Sequence, residues 1–186
     1  MSGPSVDRDA PYCARYCEEN VWHRCTALGA AAEAALVWVI SNERQRVAVF
    51  EQRAARTFEQ PMAWDYHVVL AQPGDAGWWV IDVDSTLDLP CPADAYLAAS
   101  FPDLPARLAA YRPLFRVVDA ATYRDRFASD RRHMRDRRGR YASPPPAWPT
   151  IGEGHNLDRL IDMRDGFLGE VVDLEGLRAR LGIVTP

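Results

Sequence analysis

One cysteine, one histidine and one aspartate follow each other along the chain in settings that suit a thiol enzyme. Cys17 lies in Tyr-Cys-Glu-Glu-Asn, His67 lies in Trp-Asp-Tyr-His-Val, and Asp82 lies in Val-Ile-Asp-Val-Asp. A thiolate attacks an amide carbon, a histidine takes and returns a proton, and an aspartate orients the imidazole and stabilises its charged form. We therefore predict Cys17 as the nucleophile, His67 as its base and Asp82 as the acid that orients His67.

Cys17 is predicted to open a helix that runs from residue 17 to about residue 35. Glu18 and Glu19 fit the first turn, where negative charge suits the helix dipole. The dipole and the unpaired backbone amides at a helix start stabilise a thiolate, and the same amides can stabilise an oxyanion. The two glutamates oppose the thiolate, so a protonated histidine has to dominate its electrostatics.

His67 and Asp82 are predicted on neighbouring strands, over residues 64–72 and 78–84, joined by a turn rich in proline and glycine. A turn centred directly after Gly74 would set His67 opposite Asp82, with β-carbons about 4.5–5.5 Å apart. A slip of one residue would place the two side chains on opposite faces of the sheet. The predicted hairpin therefore brings the base and its orienting acid together.

The remaining pattern predicts short strands and helices in a single domain. Residues 36–50 read as a separate hairpin around a turn at 41–44, and residues 173–181 as a last helix. A helix followed by an antiparallel meander indicates an α+β fold. We predict one catalytic domain over residues 1–186, with residues 1–12 as a flexible tail.

Composition narrows the class of protein. Apolar residues make up 48% and charged residues 26% of the chain, which is typical of a globular protein. The net charge of -4 gives no reason to expect nucleic acid or an anionic membrane as a partner. No apolar run reaches the roughly 20 residues that span a bilayer, and the N-terminus lacks the apolar core of a secretory signal. We expect a cytoplasmic monomer with reduced cysteines and no metal site.

Six strings of the chain resemble the protein N-terminal glutamine amidohydrolases, enzymes of the N-degron pathway, over residues 12–180. The strings are YCEENVW (16–22), VISNER (39–44), WDYHVVL (64–70), DVDSTLDLPCP (82–92), FASDRRHM (127–134) and PPPAWP (144–149). YCEENVW and WDYHVVL together are the specific ones. The resemblance implies a papain- or transglutaminase-like fold and a triad of Cys17, His67 and Asp82, with no metal or organic cofactor.

The resemblance also implies the reaction. The side-chain amide of an N-terminal glutamine, in a protein or peptide, is hydrolysed to glutamate and ammonia through a γ-glutamyl thioester. Selection of a terminal residue needs a group that binds the free α-ammonium. Glu18, Asp65 and Asp84 are the candidates, because they lie close to the triad along the chain. Each is equally typical of an ordinary solvated acid.

Two other readings of the sequence stay open. A cysteine peptidase or a transglutaminase-like acyl transferase would use the same three residues, because each attacks an amide. A non-enzymatic alternative is a binding module built on the arginine-rich segment 131–140, which would need its arginines on one face to hold phosphate. Asp130 and Asp136 dilute that charge, and a solvated loop fits the segment better.

Overall fold

Six antiparallel strands form the main sheet of the protein, whose computed structural model describes residues 3–57 and 60–183. The described residues form eight strands in two sheets: β1 (Leu36–Ser41), β2 (Val47–Val49), β3 (Met62–Trp64), β4 (His67–Gly74), β5 (Gly77–Ile81), β6 (Cys91–Pro92), β7 (Leu114–Asp119) and β8 (Glu170–Val172). The main sheet has the order β6-β5-β4-β1-β7-β8, and β2 pairs with β3 in a small second sheet. The α+β prediction is therefore confirmed.

In the part of the chain that the structure describes, five α-helices cover the two faces of the main sheet. They are α1 (Cys17–Ala27), α2 (Ala93–Ser100), α3 (Ala120–Arg126), α4 (Leu157–Ile161) and α5 (Leu174–Arg180), with short 3-10 segments at Gly29–Ala34, Ala106–Tyr111 and Arg132–Met134. Within the described residues, no helix is both long and apolar enough to cross a membrane.

The central strands are buried on both sides because successive side chains point to opposite faces. Val68 and Leu70 of β4 belong to a core cluster that also contains Cys17 and Val21 of α1. Val69, between them, belongs to the opposite cluster with residues of α2 and α5. This alternation packs α1 against the face of β4 that Val68 and Leu70 form, whereas His67, at the start of the strand, has the parity of Val69.

The hairpin of β4 and β5 differs from the predicted one by two residues. Gly74 pairs with Gly77, so the turn is centred one position further along the chain than predicted. By this register Asp82 is level with Val69, and its predicted position directly opposite His67 is wrong. Because side chains alternate with a period of two, the two-residue offset keeps both side chains on one face.

The predicted hairpin over 36–50 is wrong. β1 lies in the middle of the main sheet between β4 and β7, whereas β2 leaves to pair with β3. Asn42 sits in the connection, where its side-chain amide donates to the backbone carbonyls of Ala110 and Arg112 at 3.0 and 3.1 Å. These contacts come from a distant part of the chain, so local alternation did not indicate them.

The helix that starts at Cys17 is shorter than predicted. α1 ends at Ala27, and the alanine-rich stretch that follows is a 3-10 segment beginning at Gly29. Gly29 has a φ of +55°, a conformation that favours glycine and ends an α-helix. The helix start, which matters for Cys17, agrees with the prediction.

Residues 3–12, predicted as part of a flexible tail, have neither helix nor strand but contact the folded body. Ala10 is buried, and the carbonyl of Asp7 accepts a hydrogen bond from the Arg24 guanidinium at 3.0 Å. The Tyr12 hydroxyl donates to the Asp84 carboxylate at 2.6 Å. This segment therefore ends close to the predicted site.

Candidate active site

His67 and Asp82 form a buried hydrogen-bonded pair at the end of the sheet. The two atoms His67 Nε2 and Asp82 Oδ2 are 3.0 Å apart, and both side chains are 2% exposed. β4 begins at His67, and Asp82 directly follows the end of β5, so adjacent strands position the two residues. The indole of Trp64 stacks on the imidazole at 6.2 Å between ring centres. The contact with Asp82 engages Nε2 of His67, so Nδ1 is the ring nitrogen that this pair leaves unengaged.

Two residues that the sequence analysis missed hold the Asp82 carboxylate. Oδ2 accepts hydrogen bonds from Gln52 Nε2 at 3.1 Å and from the Tyr96 hydroxyl at 2.9 Å. Oδ1 accepts from the backbone N–H of Asp84 at 3.0 Å. Gln52 precedes β3 and Tyr96 lies on α2, and neither belongs to a motif with a local chemical signal. The carboxylate is thus fixed in orientation by donors on both oxygens.

The charges of His67 and Asp82 support each other. Burial lowers the pKa of His67, but the charge and hydrogen bond of Asp82 outweigh burial and hold that pKa above its ordinary value. Burial raises the pKa of Asp82, but His67 and the donors Tyr96 and Gln52 bring it below its ordinary value. Asp82 therefore stabilises the imidazolium that forms when His67 accepts a proton.

Cys17 is the first residue of α1, as predicted, and its side chain is largely buried in the cluster with Val68. The preceding residue, Tyr16, provides no side-chain cap for the helix, so amides of the first turn are left for other acceptors. The sulfur lies 3.7 Å from Glu18 Oε2, and the backbone N–H of Val68, next to His67, faces it. Among the described contacts, this sulfur has no hydrogen bond to His67.

The surroundings of Cys17 favour the thiol over the thiolate. Burial is the largest cause that raises its pKa well above the ordinary value, and the charges of Glu18 and Asp84 raise it further. The expected stabilisation of a thiolate by the helix start is therefore outweighed. The reason is that the first turn of α1 is buried in the core and that the buried carboxylate of Glu18 lies beside the sulfur.

The three acidic candidates for α-ammonium binding lie in different environments. Glu18 is fully buried beside Cys17. Asp84 is partly exposed, and burial raises its pKa although His67 and Tyr12 act in the opposite direction. Asp65 is exposed, and only its backbone carbonyl is engaged, by the Ser41 hydroxyl at 2.6 Å. The structure therefore brings Glu18 and Asp84 to the site and leaves the carboxylate of Asp65 at the surface.

Glu19, the second glutamate of α1, holds the proline-rich loop that follows the arginine-rich segment 131–140. Glu19 accepts two hydrogen bonds of 2.9 Å from the Arg131 guanidinium and one of 2.7 Å from Trp148 Nε1. Arg131 also donates to the backbone carbonyls of Pro146, Trp148 and Pro149. One guanidinium thus ties the proline-rich loop to the helix that carries Cys17.

Replacement of Arg131 by methionine is expected to lower the free energy of unfolding by about 3–5 kcal/mol, because it leaves the buried Glu19 carboxylate without its counter-charge. Urea denaturation followed by tryptophan fluorescence measures the effect. The neighbouring Arg132, whose salt bridge to Asp130 is exposed, provides the matched control. Arg132→Met should leave the unfolding midpoint close to that of the wild type. Equal effects of the two substitutions would contradict the role of the buried pair.

The arginine-rich segment does not present its arginines as one free cationic face. Arg131 is buried in the contact with Glu19, and Arg132 and Arg140 pair with Asp130 and Asp136. A phosphate-binding module would need these guanidinium groups unpaired. Over residues 3–57 and 60–183, no group of three or more His, Cys, Asp or Glu residues is arranged to hold a metal ion.

The fold and the site define an α+β protein with a thiol at a helix start and a histidine–aspartate pair at the adjoining end of the sheet. The chain belongs to the N-terminal glutamine amidase family, whose profile matches residues 12–181. It is 36% identical to the protein N-terminal glutamine amidohydrolase of Danio rerio, over 92% of this chain and 89% of that protein. Proteins of the same name from Homo sapiens and Arabidopsis thaliana are 38% and 36% identical, over 82% and 84% of their lengths and 86% and 91% of this chain. The resemblance found in the sequence is thereby confirmed.

Proposed function

We propose that this protein hydrolyses the side-chain amide of an N-terminal glutamine, in proteins or peptides, to glutamate and ammonia. Membership of the family carries the proposal, because relatives spanning most of the chain are named for this reaction. The buried His67–Asp82 pair, which adjoins the helix start of Cys17, is chemically suited to it. Cys17, His67 and Asp82 are the proposed catalytic residues.

The first half of the reaction forms a thioester. His67 takes the thiol proton of Cys17, and the sulfur attacks the side-chain amide carbon of the substrate. Because burial and the charge of Glu18 raise the pKa of Cys17, His67 is proposed to act as a general base during attack rather than as the partner of a preformed ion pair. Uncapped amides at the start of α1 are the candidate donors for the tetrahedral oxyanion. His67 then returns the proton to the departing nitrogen, and ammonia leaves.

The second half hydrolyses the γ-glutamyl thioester. His67, again neutral, takes a proton from water, and the water oxygen attacks the thioester carbon. The C–S bond then breaks and releases glutamate, and His67 returns the proton to the sulfur of Cys17. Asp82 holds one imidazole tautomer and stabilises the imidazolium in both halves. Donors from Gln52 and Tyr96 keep the Asp82 carboxylate in place. No metal or organic cofactor takes part in these steps.

A papain- or transglutaminase-like arrangement of a single catalytic domain is part of the proposal. Its support is that α1, with the nucleophile at its start, packs on the antiparallel strand β4, which begins at the proposed base. The four cysteines are free thiols, which suits the reducing cytoplasm; a monomeric state is part of the proposal.

Asp84 is the favoured ligand for the α-ammonium of the substrate. The α-nitrogen of glutamine is separated from the amide carbon by the whole side chain, so its ligand has to lie beyond the immediate surroundings of the sulfur. Glu18 Oε2, only 3.7 Å from the sulfur and fully buried, is placed beside the reacting amide instead. Asp84 is partly exposed and acts electrostatically on both Cys17 and His67. Asp65 is the third candidate and has the weakest support.

Three peptides that differ only at the first residue test the proposal: Gln, Asn and acetyl-Gln. We expect ammonia release and conversion of amide to acid only for the peptide with a free N-terminal Gln, because both the side-chain length and the α-ammonium are recognised. Mass spectrometry of the products and an ammonia assay measure the outcome. A shortened peptide would instead support a cysteine peptidase. Incorporation of added methylamine without acid formation would support an acyl transferase.

A further inference from the structure

Glu18 is a buried carboxylate that lies between the nucleophile and a second histidine. Its Oε2 accepts the Tyr66 hydroxyl at 2.9 Å and lies 3.7 Å from the sulfur of Cys17. Its Oε1 lies 3.4 Å from His133 Nε2 and has no hydrogen-bond partner among the described residues. Tyr66 and His133 also contact each other, with 3.3 Å between the hydroxyl oxygen and Nε2. We call Glu18, Tyr66 and His133 the Glu18 cluster.

An ionised carboxylate in this position needs a compensating charge. Glu18 is 0% exposed, so water does not solvate it, and an uncompensated buried charge is costly. His133 Nε2 lies 3.4 Å from Glu18 Oε1, and this side chain, which is 12% exposed, supplies a positive charge only when it is protonated. The charges of Glu18 and His133 are therefore coupled, and the thiol of Cys17 lies next to both.

We propose that His133 is a positioning residue which, through Glu18, sets the ease with which Cys17 loses its proton. When His133 is protonated, the Glu18–His133 pair is neutral and a negative sulfur can form beside it. When His133 is neutral, the negative charge of the Glu18 carboxylate has no counter-charge from His133 and keeps the proton on the sulfur. The inference rests on the proposed function only in taking Cys17 as the nucleophile.

Further titratable groups lie around His133. His155 stacks on His133 with 5.4 Å between ring centres. Beyond it, Asp130 and Asp158 lie 3.6 and 3.5 Å from the two ring nitrogens of His155. The groups that face His133 are thus Glu18 from α1 with Cys17 behind it, Tyr66 from the segment before β4, and His155 with Asp130 and Asp158. Among the described contacts, Glu18 is the residue that touches both His133 and the sulfur, so the proposal predicts that Glu18 transmits the effect.

The pH dependence of Cys17 alkylation tests the proposal without any substrate. Iodoacetamide is added to the folded protein over a range of pH, and peptide mass mapping follows Cys17 separately from the half-exposed Cys13. Glu18→Gln should move the alkylation midpoint to lower pH by about one unit, because the adjacent negative charge is gone. His133→Asn should move it to higher pH, because Glu18 loses its counter-charge.

The double variant decides whether the effect passes through Glu18. In the Glu18→Gln background, His133→Asn should have no further effect on the midpoint, whereas independent effects would add. His23→Asn is the control, because His23 is a half-buried histidine of α1 that contacts Trp22 and Trp148. It should leave the midpoint unchanged. His133→Gln replaces His133→Asn if circular dichroism shows that the latter is unfolded.

Two outcomes would overturn the inference: an alkylation midpoint unmoved by Glu18→Gln, or an equal shift by His133→Asn in both backgrounds. Either would leave the proposed reaction untouched, since that reaction is judged on peptide conversion by the wild type. Failure of the wild type to convert the Gln peptide would reject the reaction, while the alkylation midpoints would still report on Glu18 and His133.

Discussion

Replacement of Cys17 by alanine is expected to abolish ammonia release from a peptide with N-terminal glutamine, a loss of about 10⁵–10⁶-fold in kcat. Alanine has no atom that can attack the amide carbon, and none of the proposed steps proceeds without the thioester. The fold should persist, because the side chain is small and the helix start at Tyr16 and Cys17 has no side-chain cap to lose. A continuous ammonia assay and far-ultraviolet circular dichroism measure the two quantities.

Cys25 provides the matched control for this experiment. It lies on the same helix and is fully buried in the same core cluster, but it is not at the helix start. Cys25→Ala should lower the free energy of unfolding by about 1 kcal/mol through lost packing and should keep kcat near that of the wild type. Full activity of Cys17→Ala would end the proposal that Cys17 is the nucleophile. Loss of activity in both variants would point to a folding defect.

Asp82→Asn is expected to lower kcat by about 10³–10⁴-fold with little change in backbone structure. The reason lies in the donors around the carboxylate. If the new amide nitrogen takes the place of Oδ2, it faces the Tyr96 hydroxyl and the Gln52 amide, and it forces the wrong tautomer on His67. If it takes the place of Oδ1, it opposes the backbone N–H of Asp84. Both orientations also remove the charge that stabilises the imidazolium.

The pH dependence of Asp82→Asn gives a second measurement of the same pair. Asp82 raises the pKa of His67, so its loss should move the acidic limb of the kcat/KM profile to lower pH. Tyr96→Phe removes one donor but keeps the carboxylate, and it should reduce kcat far less. If the Asp82→Asn variant had the kcat of the wild type and the same acidic limb in its kcat/KM profile, Asp82 would not orient His67.

The same pair sets a window in the pH dependence of stability. The lowered pKa of Asp82 contributes stability above about pH 4, and that contribution is lost as the pH falls through the folded-state pKa. The raised pKa of His67 contributes stability that is full below about pH 6.5 and is lost as the pH rises through the folded-state pKa. The difference in unfolding free energy between wild type and Asp82→Asn should therefore be largest between those limits.

Much of the fold was predictable because its signals are local. The helix start at Cys17, the strands that carry His67 and precede Asp82, and the turn between them all follow from alternation, charge placement and turn residues. The register was wrong by two residues, since a turn segment of this composition admits several loop types. The error did not separate His67 from Asp82, because an offset of an even number of residues leaves both side chains on the same face of the sheet.

The errors and omissions share one cause, which is contact between distant parts of the chain. The prediction of a hairpin over 36–50 was wrong because β1 pairs with β4 on one side and with β7 on the other. Gln52 and Tyr96 were missed because each reaches Asp82 from its own element. The sequence favoured a solvated loop at Arg131, but this side chain is buried against Glu19 of α1. The pattern of neighbouring residue types along the sequence does not indicate which distant residues will come into contact.

The sequence by itself determined the family, the α+β class and the three candidate residues, because these depend on residue type, order and local pattern. The tertiary structure alone decided their electrostatics. It placed a buried carboxylate, Glu18, against the sulfur of Cys17 and a second histidine, His133, against that carboxylate. Burial and neighbouring charge govern whether a thiol holds its proton, and both are properties of the packed chain.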